Sequence, residues 1–160
     1  MTKVTEFPKI IPQLKFKRLH PSAHVPRKWS DFAVGYDLHA LLLSEDGHKL
    51  RRIVAPNSTV NIPTGLAVEP PPGCYLLVLP RSGLGKHSIS VTNSPGLIDP
   101  DYRGEIRVLM YNGSYVNHWV EHDQRIAQLI VLPLIHVNIT EVPQLSETER
   151  GASGFGSTGA

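Results

Sequence analysis

Two carboxylates, a phenol and a guanidinium crowd into Gly96-Leu97-Ile98-Asp99-Pro100-Asp101-Tyr102-Arg103-Gly104. Asp99 follows Leu97 and Ile98, which are expected to be partly buried. A carboxylate held beside apolar neighbours stays oriented for base chemistry, whereas a freely solvated one is under no such constraint. Asp101 reads as a surface-turn residue that satisfies nearby backbone groups, and that account stays open for Asp99. A further carboxylate, Asp37, sits in Ala33-Val34-Gly35-Tyr36-Asp37-Leu38-His39-Ala40 among residues that belong inside. There it must be hydrogen-bonded or chemically employed. The end of the chain, Arg150 to Gly159, suits an anion. Its glycines expose backbone N–H groups, hydroxyls donate, Arg150 offers a bidentate fork, and Phe155 gives a flat face for a base or sugar. The alternative is a flexible end, because so few apolar residues cannot offset roughly 1–2 kcal/mol of backbone entropy per residue. His87, His118 and His122 could act as bases by type, but none has a paired carboxylate at motif spacing.

The elements that must position these groups read as short strands. Residues 91–111 form a hairpin arm with polar groups at its tip, Asn93-Ser94-Pro95-Gly96 turning before it and Ile106 to Tyr111 extended after it. Strands are predicted near 14–19, 50–54, 58–62, 65–69, 74–79, 89–91 and 114–120. The run Pro80 to Ser88 holds at most one helical turn. Arg125 to Val137 is a long apolar run broken at Pro133, and its β-branched content favours a strand over a helix. Short strands with turn signals every 8–12 residues indicate an all-β barrel or sandwich.

At 160 residues and 41% hydrophobic content the chain suits one well-cored domain. No apolar run is long enough for a membrane span, and the first residues lack the pattern of a secretion signal. Cys74 is the single cysteine, which excludes an intrachain disulfide scaffold and a cysteine metal cluster. An intracellular compartment, cytoplasmic or nuclear, is expected. The net charge of +2 is uneven, since residues 1–30 hold seven Lys or Arg against Glu6 alone. A basic front end attracts anions, but without a recognisable reading helix no specific nucleic-acid partner is expected.

Five segments in order resemble the homotrimeric all-β deoxyuridine triphosphatases: Ala33 to Leu38, Pro80-Arg81-Ser82-Gly83-Leu84, Gly96 to Gly104, Arg125-Ile126-Ala127-Gln128, and Arg150 to Gly159. The resemblance implies a distorted, jelly-roll-like β-barrel with a glycine-rich C-terminal arm. It divides the chain into an N-terminal arm (1–13), a β domain (14–142) and an arm (143–160) that closes over a neighbouring subunit's site. It implies hydrolysis of dUTP to dUMP and pyrophosphate, with Mg²⁺ carried by the triphosphate rather than by direct protein ligands. Asp99 is then the general base for a water attacking the α-phosphorus, and Tyr102 lies beneath the deoxyribose. Uracil enters between Asn93 and Tyr102 against the backbone of Gly96 and Ile98, where a 5-methyl group collides. Arg81, Ser82, Gly83 and Gln128 hold the phosphates, and Asp37 organises the metal end through water or neighbours. Arg150 grips the terminal phosphate while Phe155 covers the uracil and Gly156, Ser157 and Thr158 add phosphate contacts. Three shared sites in a homotrimer are implied, with the third motif on one chain, the first, second and fourth on a neighbour, and the tail on the third.

Three positions depart from the pattern. Asp123 replaces a glycine before the fourth motif, which is tolerable in a left-handed turn. Ser153 replaces a tail glycine and leaves its local path open, and Val34 adds bulk in the first motif. The same residues also admit a nucleotide-binding regulatory protein or a dCTP deaminase-like relative.

Overall fold

The computed structural model describes residues 12–153; Phe155, Gly156, Ser157 and Thr158 lie outside them. Ten strands and one helical turn follow in order. They are β1 (Lys15–Arg18), β2 (Tyr36–His39), β3 (Arg51–Val54), β4 (Ser58–Glu69), β5 (Cys74–Leu79), α1 (Ser82–Gly85), β6 (Ile89–Val91), β7 (Gly96–Ile98), β8 (Glu105–Asn112), β9 (His118–Glu121) and β10 (Arg125–Pro133). They make two four-stranded sheets, β1-β4-β8-β6 and β2-β10-β5-β7, and a two-stranded β3-β9. The paired strands run antiparallel. No helix among the described residues is long and apolar enough to cross a membrane.

Alternation decides which face of each strand is buried. In β8, Ile106, Val108 and Met110 point inward while Arg107 is exposed. They join Leu38, Ile62, Leu76, Ile126 and Leu129 in one buried cluster. Each such side chain contributes about 1.5–3 kcal/mol relative to leaving it in water. The apolar run after Arg125 is a strand, as its β-branched content predicts, and a register shift between Arg125 and Ala127 lets both Ile126 and Ala127 face inward.

Three elements differ from the sequence reading. The strands expected at 58–62 and 65–69 are one strand, β4, kinked rather than broken by a register shift between Pro63 and Ala67. Pro63 is tolerated because β1 pairs only with Leu66 to Glu69, so no strand there calls on its missing N–H, while its carbonyl accepts from Leu41 N at 2.8 Å. Gly65 takes φ +67 in the kink, and a Cβ there would lie 2.5 Å from Leu41 Cδ2 and 3.0 Å from Ala23 Cβ. The hairpin expected over 91–111 holds only at its base, where Val91 faces Met110. Beyond it the chain crosses over, and β7 pairs with β5 in the other sheet.

The strand expected over 114–120 shrinks to β9, because a buried side chain organises the residues before it. Asn112 Nδ2 donates to the carbonyls of Val54 and Val116 at 2.8 Å each, and its Oδ1 accepts from Ser114 N (2.9 Å) and Oγ (2.7 Å). All four hydrogen-bonding positions of this fully buried amide are used. Asn112→Leu strands those partners without water and is expected to cost about 3 kcal/mol. At this chain length that is roughly 10 °C in Tm. A thermal shift near zero would show that the turn does not depend on the amide.

After β10, residues 134–150 form no strand, and Ile135, Val137 and Ile139 stand 78%, 75% and 98% exposed on alternate positions.

Candidate functional site: two half-sites on one sheet

The split of the expected hairpin creates a cavity. Where β7 leaves β8 for the other sheet, a space of about 280 Å³ opens, lined among others by Val78, Asn93, Gly96, Ile98, Asp99 and Tyr102. Two paired arms would leave no room there. β7 is the edge of its sheet, so every second N–H and C=O along Gly96 to Ile98 faces away from β5 and is available to a planar ligand. Gly96 keeps this wall thin, since a Cβ would lie 3.3 Å from Asn93 Nδ2 and 3.4 Å from Val78 Cβ. Ile98 is buried, but Leu97 points outward at 62% exposure, against the expectation that both are partly buried. Strand alternation requires one of the two to face out.

The turn after β7 is held by its own backbone. Tyr102 N donates to Asp99 O at 3.2 Å, and Arg103 Nη1 donates to the carbonyls of Pro100 (2.7 Å) and Tyr102 (2.9 Å). Tyr102 Oη donates to Glu105 O at 3.1 Å, and its ring lies so close over Gly104 that any side chain there would collide with it. The Asp99 carboxylate has no hydrogen bond among the described residues and is exposed at the cavity's edge.

The second half-site brings β2, β10 and the end of β5 together. Gln128 on β10 is the register partner of Asp37 on one side and Leu79 on the other. Its Nε2 donates to Pro80 O at 2.9 Å, and Gly35 lacks the Cβ that would run into its Oε1. Asp37 is held at both oxygens, Oδ1 by Arg81 Nε at 2.8 Å and Oδ2 by Arg125 Nη1 at 3.1 Å. Arg81, Ser82, Gly83 and Gln128 line a cavity of about 510 Å³ with Asp37. Arg125, given no role from the sequence, is the third member of this group; its place in the fourth motif, opposite the first, was the available signal. His87, His118 and His122 line neither cavity. Arg150 is exposed, its Nε donating to Ser153 O at 2.9 Å.

The two half-sites lie far apart within one chain. β2 and β7 are opposite edges of the same sheet, three strand spacings or about 14 Å across. Ile98 faces Leu76, so Asp99 leaves the sheet near the start of β5, whereas Arg81 follows its end. At about 3.3 Å per residue the diagonal from Asp99 to the Asp37–Arg81 pair is on the order of 20 Å.

Asp123 takes φ +66 between β9 and β10, the left-handed turn expected for it. Burial alone would raise its pKa. The Lys49 hydrogen bond (3.1 Å) and the His122 and His24 rings (3.1 and 2.9 Å) outweigh burial and hold it below the ordinary value. His24 stacks on His39 at 4.8 Å between centroids. Burial first, then His24 and Arg125, lower the His39 pKa from 6.5, against the pull of Asp37 and Asp123. The folded state therefore binds fewer protons at His39 than the unfolded chain does. Stability from this group is present above about pH 6.5 and lost as pH falls through the lower folded value. His39→Gln is expected to flatten the fall in Tm from about pH 7 to about pH 5; an unchanged slope would assign it elsewhere.

The dUTPase family pattern matches residues 22–159. The chain is 45% identical over 148 residues to the deoxyuridine 5'-triphosphate nucleotidohydrolase of Nautilia profundicola, covering 92% of this chain and 99% of that protein. It is 42% identical to the enzyme of that name from Escherichia phage T5, with the same coverage. Among solved structures, a Staphylococcus bacteriophage 80alpha dUTPase with dUpNHpp superposes with a TM-score of 0.77 at 23% identity, over 92% of this chain and 99% of that one. A phage phi11 dUTPase from S. aureus, described with a structural Mg(II) ion, gives 0.74 at 18% identity over 84% of this chain and 99% of that one. These two bear on the fold, which is the all-β, jelly-roll-like one expected.

Proposed function

This chain belongs to the dUTPase family, and from that premise we propose that it hydrolyses dUTP to dUMP and pyrophosphate at sites assembled from more than one copy. The observation that carries the reading is the separation of the two half-sites. One offers a narrow cavity with an unpaired strand edge and a free carboxylate; the other offers a cationic pocket around a paired Asp. A distance of about 20 Å along the sheet exceeds the length of a triphosphate. That separation supports a nucleotide lying between two chains, with one cavity taken from each.

In this reading uracil enters against Gly96 and Ile98 beside Asn93, and Tyr102, fixed over Gly104, packs under the deoxyribose. Asp99 takes a proton from a water as its oxygen bonds to the α-phosphorus. The bond from that phosphorus to the bridging oxygen breaks, and pyrophosphate leaves toward the neighbour's Arg81, Ser82, Gly83 and Gln128, where positive charge meets the growing negative charge. Among the described residues no trio of His, Cys, Asp or Glu could cage a metal. Asp37, with both oxygens already paired to arginines, is suited to meeting a hydrated ion through water. Phosphate oxygens are the hard donors Mg²⁺ prefers, and Mg²⁺ brought in on them supplies charge neutralisation at the leaving group.

We further propose a β domain over 14–142, a short arm over 1–13, and an arm from 143 that crosses to a neighbour in a homotrimer. The unpaired apolar series Ile135, Val137, Ile139 needs cover of the kind a neighbouring copy provides. On that arm Arg150 would reach the terminal phosphate, with Phe155, Gly156, Ser157 and Thr158 closing over the nucleotide. The relatives named above are bacterial and phage proteins, so of the two compartments expected the cytoplasm is the one proposed. Pyrophosphate release from dUTP, dTTP, dCTP and UTP, each with and without Mg²⁺, tests the reading. Release from dUTP alone, dependent on Mg²⁺, supports it, and no release from dUTP ends it.

A further inference from the structure

Hydrolysis as derived above makes no use of the basic segment 1–30. Its described part forms one wall of a cleft of about 930 Å³ between residues 18–29 and the β2–β10 edge. The cleft shares Trp29, Asp37 and Arg125 with the phosphate half-site and extends away from it toward Arg18 and Lys49. Both carboxylates in its lining are already neutralised, Asp37 by Arg81 and Arg125, and Asp123 by Lys49 with His24 and His122 close by. Arg18, Arg27 and Lys28 also line it, and none has a carboxylate partner among the described residues. Lys28 Nζ lies 5.0 Å from the centroid of the Tyr36 ring. Three uncompensated positive charges converging on one concave wall create a field that a polyanion relieves. Trp29 lies at the mouth, 86% exposed, with the Arg125 guanidinium 5.4 Å from its ring centroid. An indole left in water beside cations is a stacking surface for a base. The volume falls within the range of small-ligand sites, which favours a free nucleotide over a long strand.

We propose that this cleft is a second nucleotide site adjoining the substrate site, which takes the phosphates of a nucleoside polyphosphate on Arg18, Arg27 and Lys28, none of which lines the phosphate half-site, and its base on Trp29, which borders both. The site does not depend on Asp99 being the catalytic base. Its bound phosphates would sit beside Asp37 and Arg125, so occupancy would be felt at the neighbouring half-site.

Trp29 and Trp119 are the two tryptophans, so Trp119→Phe leaves Trp29 as the reporter. Full-length protein of that background, titrated with ATP, is expected to show quenching of Trp29. Arg18→Gln, Arg27→Gln and Lys28→Gln combined should weaken it at least about tenfold, while Arg81→Ala leaves it in place. Inorganic tripolyphosphate should compete without quenching, and Arg27→Lys, which keeps the charge, should bind as the parent does. If the triple variant fails to fold, Lys28→Gln alone and the loss of affinity on raising salt carry the same test. No quenching at millimolar ATP overturns the proposal. So does quenching abolished by Arg81→Ala and untouched by the triple variant, which would place the ATP in the substrate half-site. Tight binding of oligothymidine that ATP does not displace would replace the nucleotide with a strand. Pyrophosphate release from dUTP by the triple variant is scored separately, so failure of this site and failure of the hydrolase reading are told apart.

Discussion

Asp99→Asn is expected to bind a non-hydrolysable dUTP analogue as the parent does and to release pyrophosphate about a thousandfold more slowly. The amide keeps the shape of the carboxylate and can still orient a water by hydrogen bonding, but it has no basic oxygen to take the proton. The change should leave the fold intact. The group in that turn that accepts the Tyr102 N–H is the Asp99 carbonyl, which the substitution retains. The side chain is exposed and outside the buried cluster, and substitutions at such positions usually cost within about 0.5 kcal/mol. Loss of turnover with unchanged binding and Tm is therefore the signature of a missing base. A kcat within about tenfold of the parent would remove Asp99 from the chemistry.

Mixing two inactive proteins should restore activity. Arg81→Ala removes the partner of Asp37 Oδ1 and, in the proposed reading, the charge that faces the departing pyrophosphate; as a homo-oligomer it should be nearly silent, as should Asp99→Asn. If each site takes Asp99 from one chain and Arg81 from its neighbour, a randomly reassembled equal mixture contains sites in which both chains contribute the intact residue. Each condition is met half the time, so about a quarter of parental activity is expected, given closed symmetric assembly. If both residues served one site within a chain, no intact site could form and the mixture would stay silent. Subunits must be exchanged under mild denaturant and the recovered oligomer confirmed by sedimentation. Silence in a properly mixed oligomer would contradict the split read from the sheet order.

Much of the fold was legible because its signals are local. Cys74 to Leu79 is a strand because apolar residues fill a short run between Gly73 and Pro80, and the Arg125 strand follows from side chains that crowd a helix. Asp37 was recognised as a carboxylate that required a partner. What escaped was the choice of partner, which is made across the molecule. Gly96-Leu97-Ile98 carries no mark of which sheet it joins, so the arm looked like a closed hairpin. Its opening depends on β5 offering a free edge. Leu97 was misplaced for the same reason, since which residue of a three-residue strand faces inward depends on register. The break expected between 62 and 65 is absent because the side of β4 at Pro63 that no strand pairs with is a property of β1's length. Arg125 drew no assignment because its value lies in reaching Asp37 on an adjacent strand.

The cavity beside β7 has walls from two different sheets, β7 and Val78 on one side and Ile106 of β8 on the other. Val78 and Ile106 are also members of the common interior, 5% and 2% exposed. The bore of the pocket is thus set by how far packing holds two layers apart rather than by the loops at its rim. If the proposed pyrimidine sits there, discrimination of one methyl group on it can be retuned by a methylene gained or lost inside the protein, at positions away from the ligand.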